Sequence, residues 1–186
     1  FARALAHLDH TDPNWGVLGL YGLNQAGDRI GHLYSTGLRR TLGTPFDKPR
    51  EVVTLDELLL VLRRSSGLRF DEQLRGFHLY GTDICLQARR NQLINYAVPA
   101  FCIHNSNGLR WLPRAFWQAA RYIRRKWADC LPINSPCFRI TKSPWPMAAY
   151  FLGKLKELYW EGYQPGVRCE RPDELYQKLF AADRDQ

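Results

Sequence analysis

Strand-like and helix-like segments alternate along this chain of 186 residues, and that alternation limits its fold more than any single motif does. Glycine interrupts the first extended segment, and proline and asparagine mark the breaks between segments. Alternation of this kind predicts an α/β fold in which helices flank a mixed sheet. The extended segments are residues 16–22, 29–35 and 95–104, and the helical ones are residues 1–8 and 81–92, with Thr82 as the expected N-cap of the latter.

Residues 54–62 allow two interpretations. Thr54-Leu55-Asp56-Glu57 has the form of a capping box, which favours the start of a helix. Residues 58–62 are apolar on every face and end abruptly at Arg63, as a buried strand would. Periodicity alone leaves both interpretations open. Residues 37–50 combine glycine, proline and charge, and we expect a loop there.

The C-terminal third is helical in pattern. One helix opens at Pro113 and carries an apolar stripe, a second begins near Ser143-Pro144 and ends at Gly162, and a third starts at Pro172. We therefore divide the chain into an α/β part, residues 1–132, and a helical extension packed on it, residues 133–186. The stripe of the first of these helices is Phe116, Ala120, Ile123 and Trp127, and the tryptophans expected to pack in the core or between helices are Trp111, Trp117, Trp145 and Trp160.

Basic residues are concentrated in one segment of the chain. The formal net charge is +8, and within residues 101–150 eight Lys and Arg side chains face a single acid, Asp129. Such a distribution indicates an anionic partner, for example a nucleotide diphosphate, an acidic lipid or glycan, or nucleic acid. A solvated helix face explains the same spacing equally well. No apolar run approaches the ~20 residues that a membrane span needs.

Five cysteines are spaced irregularly, without the ligand intervals of a structural zinc site. We expect buried or half-buried free thiols in a reducing compartment. The cysteines are Cys85, Cys102, Cys130, Cys137 and Cys169.

Chemically useful side chains are densest in residues 70–104, which hold an acidic pair, an aromatic and histidine cluster, and a carboxylate at a helix opening, Asp83. A carboxylate in the first turn of a helix lies beside unpaired N–H groups and the positive end of the helix dipole, which keep it ionised. A carboxylate must be ionised to act as a general base or as a metal ligand. Composition alone favours simple pairing of Asp83 with the helix end.

The order of motifs in this stretch resembles that of a known family. Over residues 15–132 the chain resembles the C-terminal half of family-2-type glycosyltransferases of the GT-A fold, and it is most similar to the streptomycin-biosynthesis-type glycosyltransferase-like group. The matching motifs are Val53-Thr54-Leu55-Asp56, Gly76-Phe77-His78-Leu79-Tyr80, Asp83-Ile84-Cys85-Leu86-Gln87-Ala88-Arg89, His104-Asn105-Ser106-Asn107-Gly108 and Lys126-Trp127.

The resemblance implies a GT-A-like mixed sheet and makes residues 58–62 a strand. Two departures accompany it. The nucleotide-binding half with its D-x-D metal motif is absent from this chain, which we therefore expect to be the C-terminal part of a longer enzyme. Gly81-Thr82 stands where acidic residues are common in the wider family.

The resemblance also implies a function, the transfer of a sugar from a nucleotide-sugar donor to an acceptor hydroxyl by an inverting hexosyltransferase. It makes Asp83 the general base and His104 a ligand of a divalent cation, Mg²⁺ or Mn²⁺, or a contact to the diphosphate. The residues expected around the donor sugar and the acceptor are Asp56, Glu72, His78 and Tyr80.

The expected acceptor is a glycan, a lipid-linked sugar or a small molecule. We expect a cytoplasmic bacterial protein that contacts the inner membrane face through the basic stretch 110–126. No helix-turn-helix, zinc-finger or RNP signature is present, so we expect no nucleic-acid partner. Two alternatives stay open: a glycosyltransferase-like module that binds or scaffolds without catalysis and, more remotely, a basic nucleic-acid-binding domain.

Overall fold

The computed structural model describes residues 2–184, and within them it contains helices and β-strands in an α/β arrangement. The α/β class expected from the sequence is confirmed, and the GT-A-like form of its sheet stays a prediction. The helices are α1 (Ala2–Thr11), α2 (Tyr80–Arg90), α3 (Arg114–Lys126), α4 (Trp145–Tyr159) and α5 (Pro172–Arg184). The strands are β1 (Trp15–Gly19), β2 (Tyr21–Leu23), β3 (Arg29–Ser35), β4 (Arg40–Gly43), β5 (Arg50–Val52), β6 (Thr54–Leu55), β7 (Leu60–Leu62), β8 (Ile94–Ala97), β9 (Cys102–His104), β10 (Ile133–Asn134) and β11 (Arg139–Ile140).

β1 lies inside a four-stranded mixed sheet of order β5-β8-β1-β7. It runs parallel to β8 and antiparallel to β7. Because successive side chains of a strand point to opposite faces, Val17 packs with Ile84 of α2 while Leu18 packs with Leu8 of α1. Helices therefore cover both faces of this sheet, as the sequence predicts.

A second sheet has the order β4-β3-β2-β6, and β9 pairs with β3 in parallel. The segment 95–104, expected to be one strand, therefore forms two strands in two different sheets. Val98-Pro99 lies between them, and Pro99 has no N–H with which to continue the ladder of β8. This change of sheet carries His104 to the second sheet, where it lies in register with Ser35.

Strand pairing decides the ambiguous segment. Residues 54–55 form β6 and residues 60–62 form β7, so the strand interpretation is confirmed and the helix interpretation is wrong. The loop expected at 37–50 is wrong in part, because β4 pairs with β3 inside it. The expected N-cap at Thr82 is also wrong, since α2 begins two residues earlier, after Leu79 in a left-handed conformation with φ of 65°.

α3 buries the stripe predicted from its sequence. Phe116, Ala120 and Ile123 of α3 and the following Trp127 are all buried. They share a core with side chains of α2 and of the β10–β11 hairpin, including Ile133 and Ile140, which follow residue 132. The division of the chain at residue 132 stays a prediction.

The last two helices pack against the rest through aromatic side chains. In α4, Tyr150 and Phe151 contact the ring of Trp117 of α3, with centroids 5.4 and 5.5 Å apart. In α5, Tyr176 lies 5.7 Å from the ring of Phe101. Within residues 2–184, none of the helices combines the length and the apolar character needed to cross a membrane.

The cysteines are free thiols, and their exposure differs from the expectation in part. Cys85 is buried, and Cys102 and Cys169 are half-buried, as expected. Cys130 and Cys137 are exposed: Cys130 ends the short 3₁₀ helix Ala128–Cys130 that follows α3, and Cys137 lies in the turn between β10 and β11.

Candidate active site

Two consecutive carboxylates, Asp56 and Glu57, follow β6 and lie beside the N-terminus of α2. The N–H of Gly81 donates a hydrogen bond of 3.1 Å to Oε1 of Glu57. The N–H of Asp56 donates to the carbonyl of Tyr21, which holds this turn against β2. A carboxylate at a helix N-terminus accepts from N–H groups that have no partner within the helix. Glu57 therefore caps α2, a helix that begins 23 residues after it.

Burial changes the acidity of both carboxyl groups. Burial and the charge of Asp56 raise the pKa of Glu57 to about 7, against the lowering effect of the Gly81 N–H. Burial also raises the pKa of Asp56, while the nearby charge of His104 lowers it. A carboxyl group that titrates near neutral pH can take up and release a proton under physiological conditions.

His104 reaches this turn from β9. The charge of His104 lowers the pKa of Asp56. The charge of Asp56 in turn contributes to raising the pKa of the Cys102 thiol, which lies on the same strand as His104. Burial, and then the charge of Asp56, raises the pKa of Cys102 to about 11. The change of sheet between β8 and β9 therefore brings the His104 imidazole within electrostatic range of Asp56.

Tyr80 completes this group. Its O–H donates a hydrogen bond of 3.3 Å to the carbonyl oxygen of Glu57. Burial, followed by the charges of Glu57 and Asp56, raises the pKa of the phenol. Of the residues that the sequence nominates for the site, the structure brings Asp56, Tyr80 and His104 together, and Glu57 joins them.

The segment after His104 is fixed by the C-terminal part of the chain. The side-chain amide of Asn105 accepts from the N–H of Cys169 at 2.8 Å and donates to its carbonyl at 3.0 Å. Thr36 Oγ1 donates to the carbonyl of Ser106 at 2.8 Å. Residues that follow the α/β part in sequence thus help to hold His104 in place.

Gly81 leaves the space that the Glu57 carboxylate uses. A Cβ atom at Gly81 would lie 3.3 Å from Oε1 of Glu57 and 2.7 Å from the carbonyl oxygen of Leu55. The resemblance expects an acidic residue in the two positions before Asp83. In this structure the Glu57 carboxylate, from a different part of the chain, accepts a hydrogen bond from the N–H of Gly81.

Asp83 itself is 1% exposed, and both of its carboxylate oxygens have partners. The Nε1–H of Trp127 donates to Oδ1 at 2.7 Å, and Nε2 of Gln87 donates to Oδ2 at 2.7 Å. The ammonium group of Lys126 lies 2.8 Å from Oδ1. A general base must reach the proton that it removes. This environment favours a structural role for Asp83, and its catalytic role stays a prediction.

Lys126 joins Asp83 to a second carboxylate, Asp71. Hydrogen bonds from Lys126 and then Tyr122 lower the pKa of Asp71 to about 2. Burial alone would lower the pKa of Lys126, but its bonds to Asp71 and Asp83 outweigh that effect and raise it. Lys126 thus differs from the exposed Arg121 with which the sequence groups it.

The remaining nominated residues lie outside the group around Asp56. Glu72 is exposed on the loop before α2. His78 packs edge-on against Phe116, with ring centroids 5.7 Å apart, and burial lowers its pKa. His78 therefore lies at the border of the core, against Phe116.

The part of the chain that the structure describes contains no group of three or more His, Cys, Asp or Glu side chains that could hold a metal ion. Asp56 and His104 would supply two ligands. Mg²⁺ is often held by one or two carboxylates together with phosphates of the substrate. The cation that the resemblance implies therefore stays a prediction.

Sequence reasoning missed Glu57. Thr54-Leu55-Asp56-Glu57 has capping-box form, but the helix that Glu57 caps is α2 rather than a helix of its own segment. The signal in the sequence is a pair of acidic residues directly after a strand. Only the packing of β6 against α2 shows which helix end the pair meets.

No family model matches the chain. It is similar to a curated protein of Fuscovulum blasticum named "ATP synthase subunits region ORF 6", with 33% identity over 94 residues. The match covers 46% of this chain and 36% of that protein, so the chain spans about a third of the length of this relative.

Proposed function

We propose that this chain belongs to an enzyme that transfers a sugar from a nucleotide-sugar donor to an acceptor hydroxyl, with Glu57 as the general base. One observation carries the proposal: the half-buried Glu57 carboxyl group accepts a hydrogen bond at the N-terminus of α2 and lies next to Asp56, on which the charge of His104 acts. The motif resemblance over residues 15–132 supplies the reaction class. In this proposal the two sheets and α2 form the C-terminal half of a GT-A-type domain.

The chemistry that the proposal assigns to Glu57 is removal of one proton. The acceptor oxygen forms a bond to the anomeric carbon, and the acceptor O–H bond breaks as Glu57 takes its proton. The bond between the anomeric carbon and the donor phosphate breaks, and its electron pair leaves with the nucleotide diphosphate. The reaction inverts the anomeric carbon when attack comes from the face opposite the leaving group. A base whose pKa lies near the working pH suits this transfer.

His104 and Asp56 serve the donor in this proposal. An imidazole N–H of His104 donates to a diphosphate oxygen when no cation is bound. A divalent cation, when bound, would offset charge on the departing diphosphate, with these two side chains as its ligands from this chain. The ring of Tyr80 offers an apolar face on which a sugar can pack.

Gly81 favours a second candidate function, a glycosyltransferase-like module that binds a nucleotide sugar without transferring it. In that case the acidic side chain expected before Asp83 has been lost and Glu57 serves only as the cap of α2. Both candidates predict donor binding. Only the enzyme releases nucleotide diphosphate at a rate that depends on Glu57.

The test uses the complete gene product and a panel of nucleotide sugars, with and without Mn²⁺. Thermal shift measures donor binding, and release of nucleotide diphosphate measures turnover. We expect one donor to raise the melting temperature and to be consumed, and we expect His104→Ala to lose most of the shift. The matched control is His10→Ala, since His10 is exposed at the end of α1. If no nucleotide sugar raises the melting temperature or is turned over, the proposal is contradicted.

A further inference from the structure

A groove between α3, the β10–β11 hairpin and the start of α4 combines apolar walls with positive charge. Its volume is about 350 Å³, within the range of about 300–1,000 Å³ that is typical of small-molecule sites. Trp117 of α3, Phe138 of the hairpin and Met147 of α4 contribute apolar walls. The charged residues that line the same groove are Arg121, Arg124 and Arg139. We name it the arginine groove.

The aromatic walls of the arginine groove are fixed by their own packing. The ring of Phe138 lies edge-on to that of Trp117, with centroids 5.1 Å apart, and Phe151 of α4 stacks on Trp117 at 5.5 Å. The indole N–H of Trp117 donates a hydrogen bond of 3.2 Å to the carbonyl of Leu112. Because these side chains are already ordered, a ligand that packs on them pays little conformational entropy.

The arginines of the groove come together from two elements. Arg121 and Arg124 are four and seven residues after Trp117, which places all three on one side of α3. Arg139 reaches the groove from β11. All three arginine side chains are exposed. Within residues 2–180, whose side chains the structure describes, no acidic group forms an ion pair with any of them.

The acidic groups of the neighbouring elements are paired elsewhere. Asp129, the single acid of residues 101–150, bonds to Arg90 of α2 at 2.7 Å. Glu157, the one acid of α4, forms an ion pair of 2.6 Å with Lys154 of the same helix. The arginine groove therefore keeps three positive charges beside an apolar surface, and an anion would offset their mutual repulsion.

We propose that the arginine groove binds a small amphiphile that joins an apolar chain to a phosphate group. The guanidinium groups of Arg121, Arg124 and Arg139 bind the phosphate oxygens, and the chain packs on the apolar walls. A phosphate monoester carries a charge of about −1.5 to −2 at pH 7, and its oxygens match the paired N–H groups of arginine. A carboxylate carries a single charge and offsets three arginines less well. This proposal does not rest on sugar transfer.

The most exposed tryptophans of this region do not line the groove. Trp145 is 74% exposed and Trp160 is 82% exposed, and neither contributes to the walls. The sequence predicts that both pack in the core or between helices, and for both residues that prediction is wrong. The membrane contact expected through residues 110–126 stays a prediction.

The test is isothermal titration calorimetry of the complete gene product with octyl phosphate and with two probes that each lack half of it, octanol and inorganic phosphate. We expect octyl phosphate to bind at least about tenfold more tightly than either, because it alone contacts both the arginines and the apolar walls. Arg121→Gln, Arg124→Gln and Arg139→Gln should each weaken its binding about fivefold. Met147→Ala should weaken it about threefold, because apolar contact is lost.

Matched controls separate these effects from a general loss of charge or of apolar surface. Arg125→Gln removes the same charge from the same helix, but Arg125 is exposed and does not line the groove. Leu152→Ala removes an apolar side chain of α4 that is 65% exposed and also lies outside the groove. Both variants should bind octyl phosphate like the parent protein, and circular dichroism should show all variants folded.

Three results would overturn the proposal. One is absence of binding of octyl phosphate. Another is binding of octanol or of inorganic phosphate as tight as that of octyl phosphate, because the apolar walls or the charges alone would then account for it. The third is an equal loss of binding in Arg125→Gln and Arg121→Gln, because net charge rather than the groove would then attract the probe.

Discussion

The indole N–H of Trp127 donates a hydrogen bond of 2.7 Å to Oδ1 of Asp83, and both residues are 1% exposed. This bond joins the first turn of α2 to the end of α3. Lys126 adds an ion pair to the same carboxylate. The pairing of Asp83 therefore fixes the position of the α2 N-terminus, where Gly81 meets Glu57.

Replacing Asp83 should destabilise the protein. In Asp83→Ala the buried Trp127 N–H loses its acceptor while Lys126 keeps its ion pair with Asp71, so we expect a loss of about 1–3 kcal/mol. Asp83→Asn keeps an acceptor for Trp127 and should cost less. Urea denaturation measures both, with the exposed Asp47→Ala as the control. If Asp83→Ala unfolds at the same urea concentration as the parent chain, the hydrogen bond from Trp127 contributes nothing to stability.

Asp71 should make the protein sensitive to acid. The pKa of Asp71 falls from 3.8 to about 2 on folding, so the unfolded chain binds more protons between these values. The stabilisation is present above about pH 4 and is lost as the pH falls towards about 2. Asp71→Asn should flatten this part of the stability profile, measured by urea denaturation at several pH values. An unchanged slope would show that Asp71 has an ordinary pKa.

The raised pKa of Glu57 should change the free energy of unfolding with pH in the opposite direction to that of Asp71. Its pKa rises from 4.5 to about 7 on folding, so the folded chain binds more protons between these values. The free energy of unfolding therefore falls as the pH rises through this range. Glu57→Gln keeps an acceptor for the Gly81 N–H and should be more stable than the parent chain at about pH 8, by an amount on the order of 1 kcal/mol. Parallel melting profiles of the two proteins from about pH 4 to pH 8 would contradict the raised pKa.

Two glycines offer a matched test of the packing around the site. In Gly81→Ala the new Cβ would lie 2.7 Å from the carbonyl oxygen of Leu55, and we expect a loss of about 1–3 kcal/mol because backbone must move. A methyl group at Gly153 in α4 would meet no heavy atom of the described residues within 4 Å, so Gly153→Ala should gain up to about 1 kcal/mol. Thermal denaturation measures both changes. If the two substitutions change the melting temperature equally, the Leu55 carbonyl oxygen does not restrict the side chain at residue 81.

Local signals in the sequence predict much of the fold. The apolar stripe of α3 needs only a period of about 3.6 residues, and its members are buried as expected. Proline and glycine likewise mark the start of α5 and the end of α4. The division of residues 95–104 between two sheets could not be predicted, because the partners of β8 and β9 lie far away in sequence.

The contacts of the candidate site could likewise not be predicted from local sequence patterns. Lys126 lies 43 residues from Asp83, and Gly81 lies 24 residues from Glu57, so neither contact has a local pattern. The motif resemblance therefore nominates Asp83 without showing that its oxygens are already bonded. The exposure of Trp145 could not be predicted from the sequence either, because α4 is apolar on both sides and such helices are usually buried.

Turnover of Glu57→Gln in the complete gene product, with its preferred nucleotide sugar, tests the proposed function most directly. Glu170→Gln is the matched control, because Glu170 is an exposed glutamate that is not nominated for the site. The proposal predicts that Glu57→Gln binds the donor normally but turns over about 10²–10⁴ times more slowly, while Glu170→Gln changes little. Turnover of Glu57→Gln within a few-fold of the parent enzyme would contradict the assignment of Glu57 as the base.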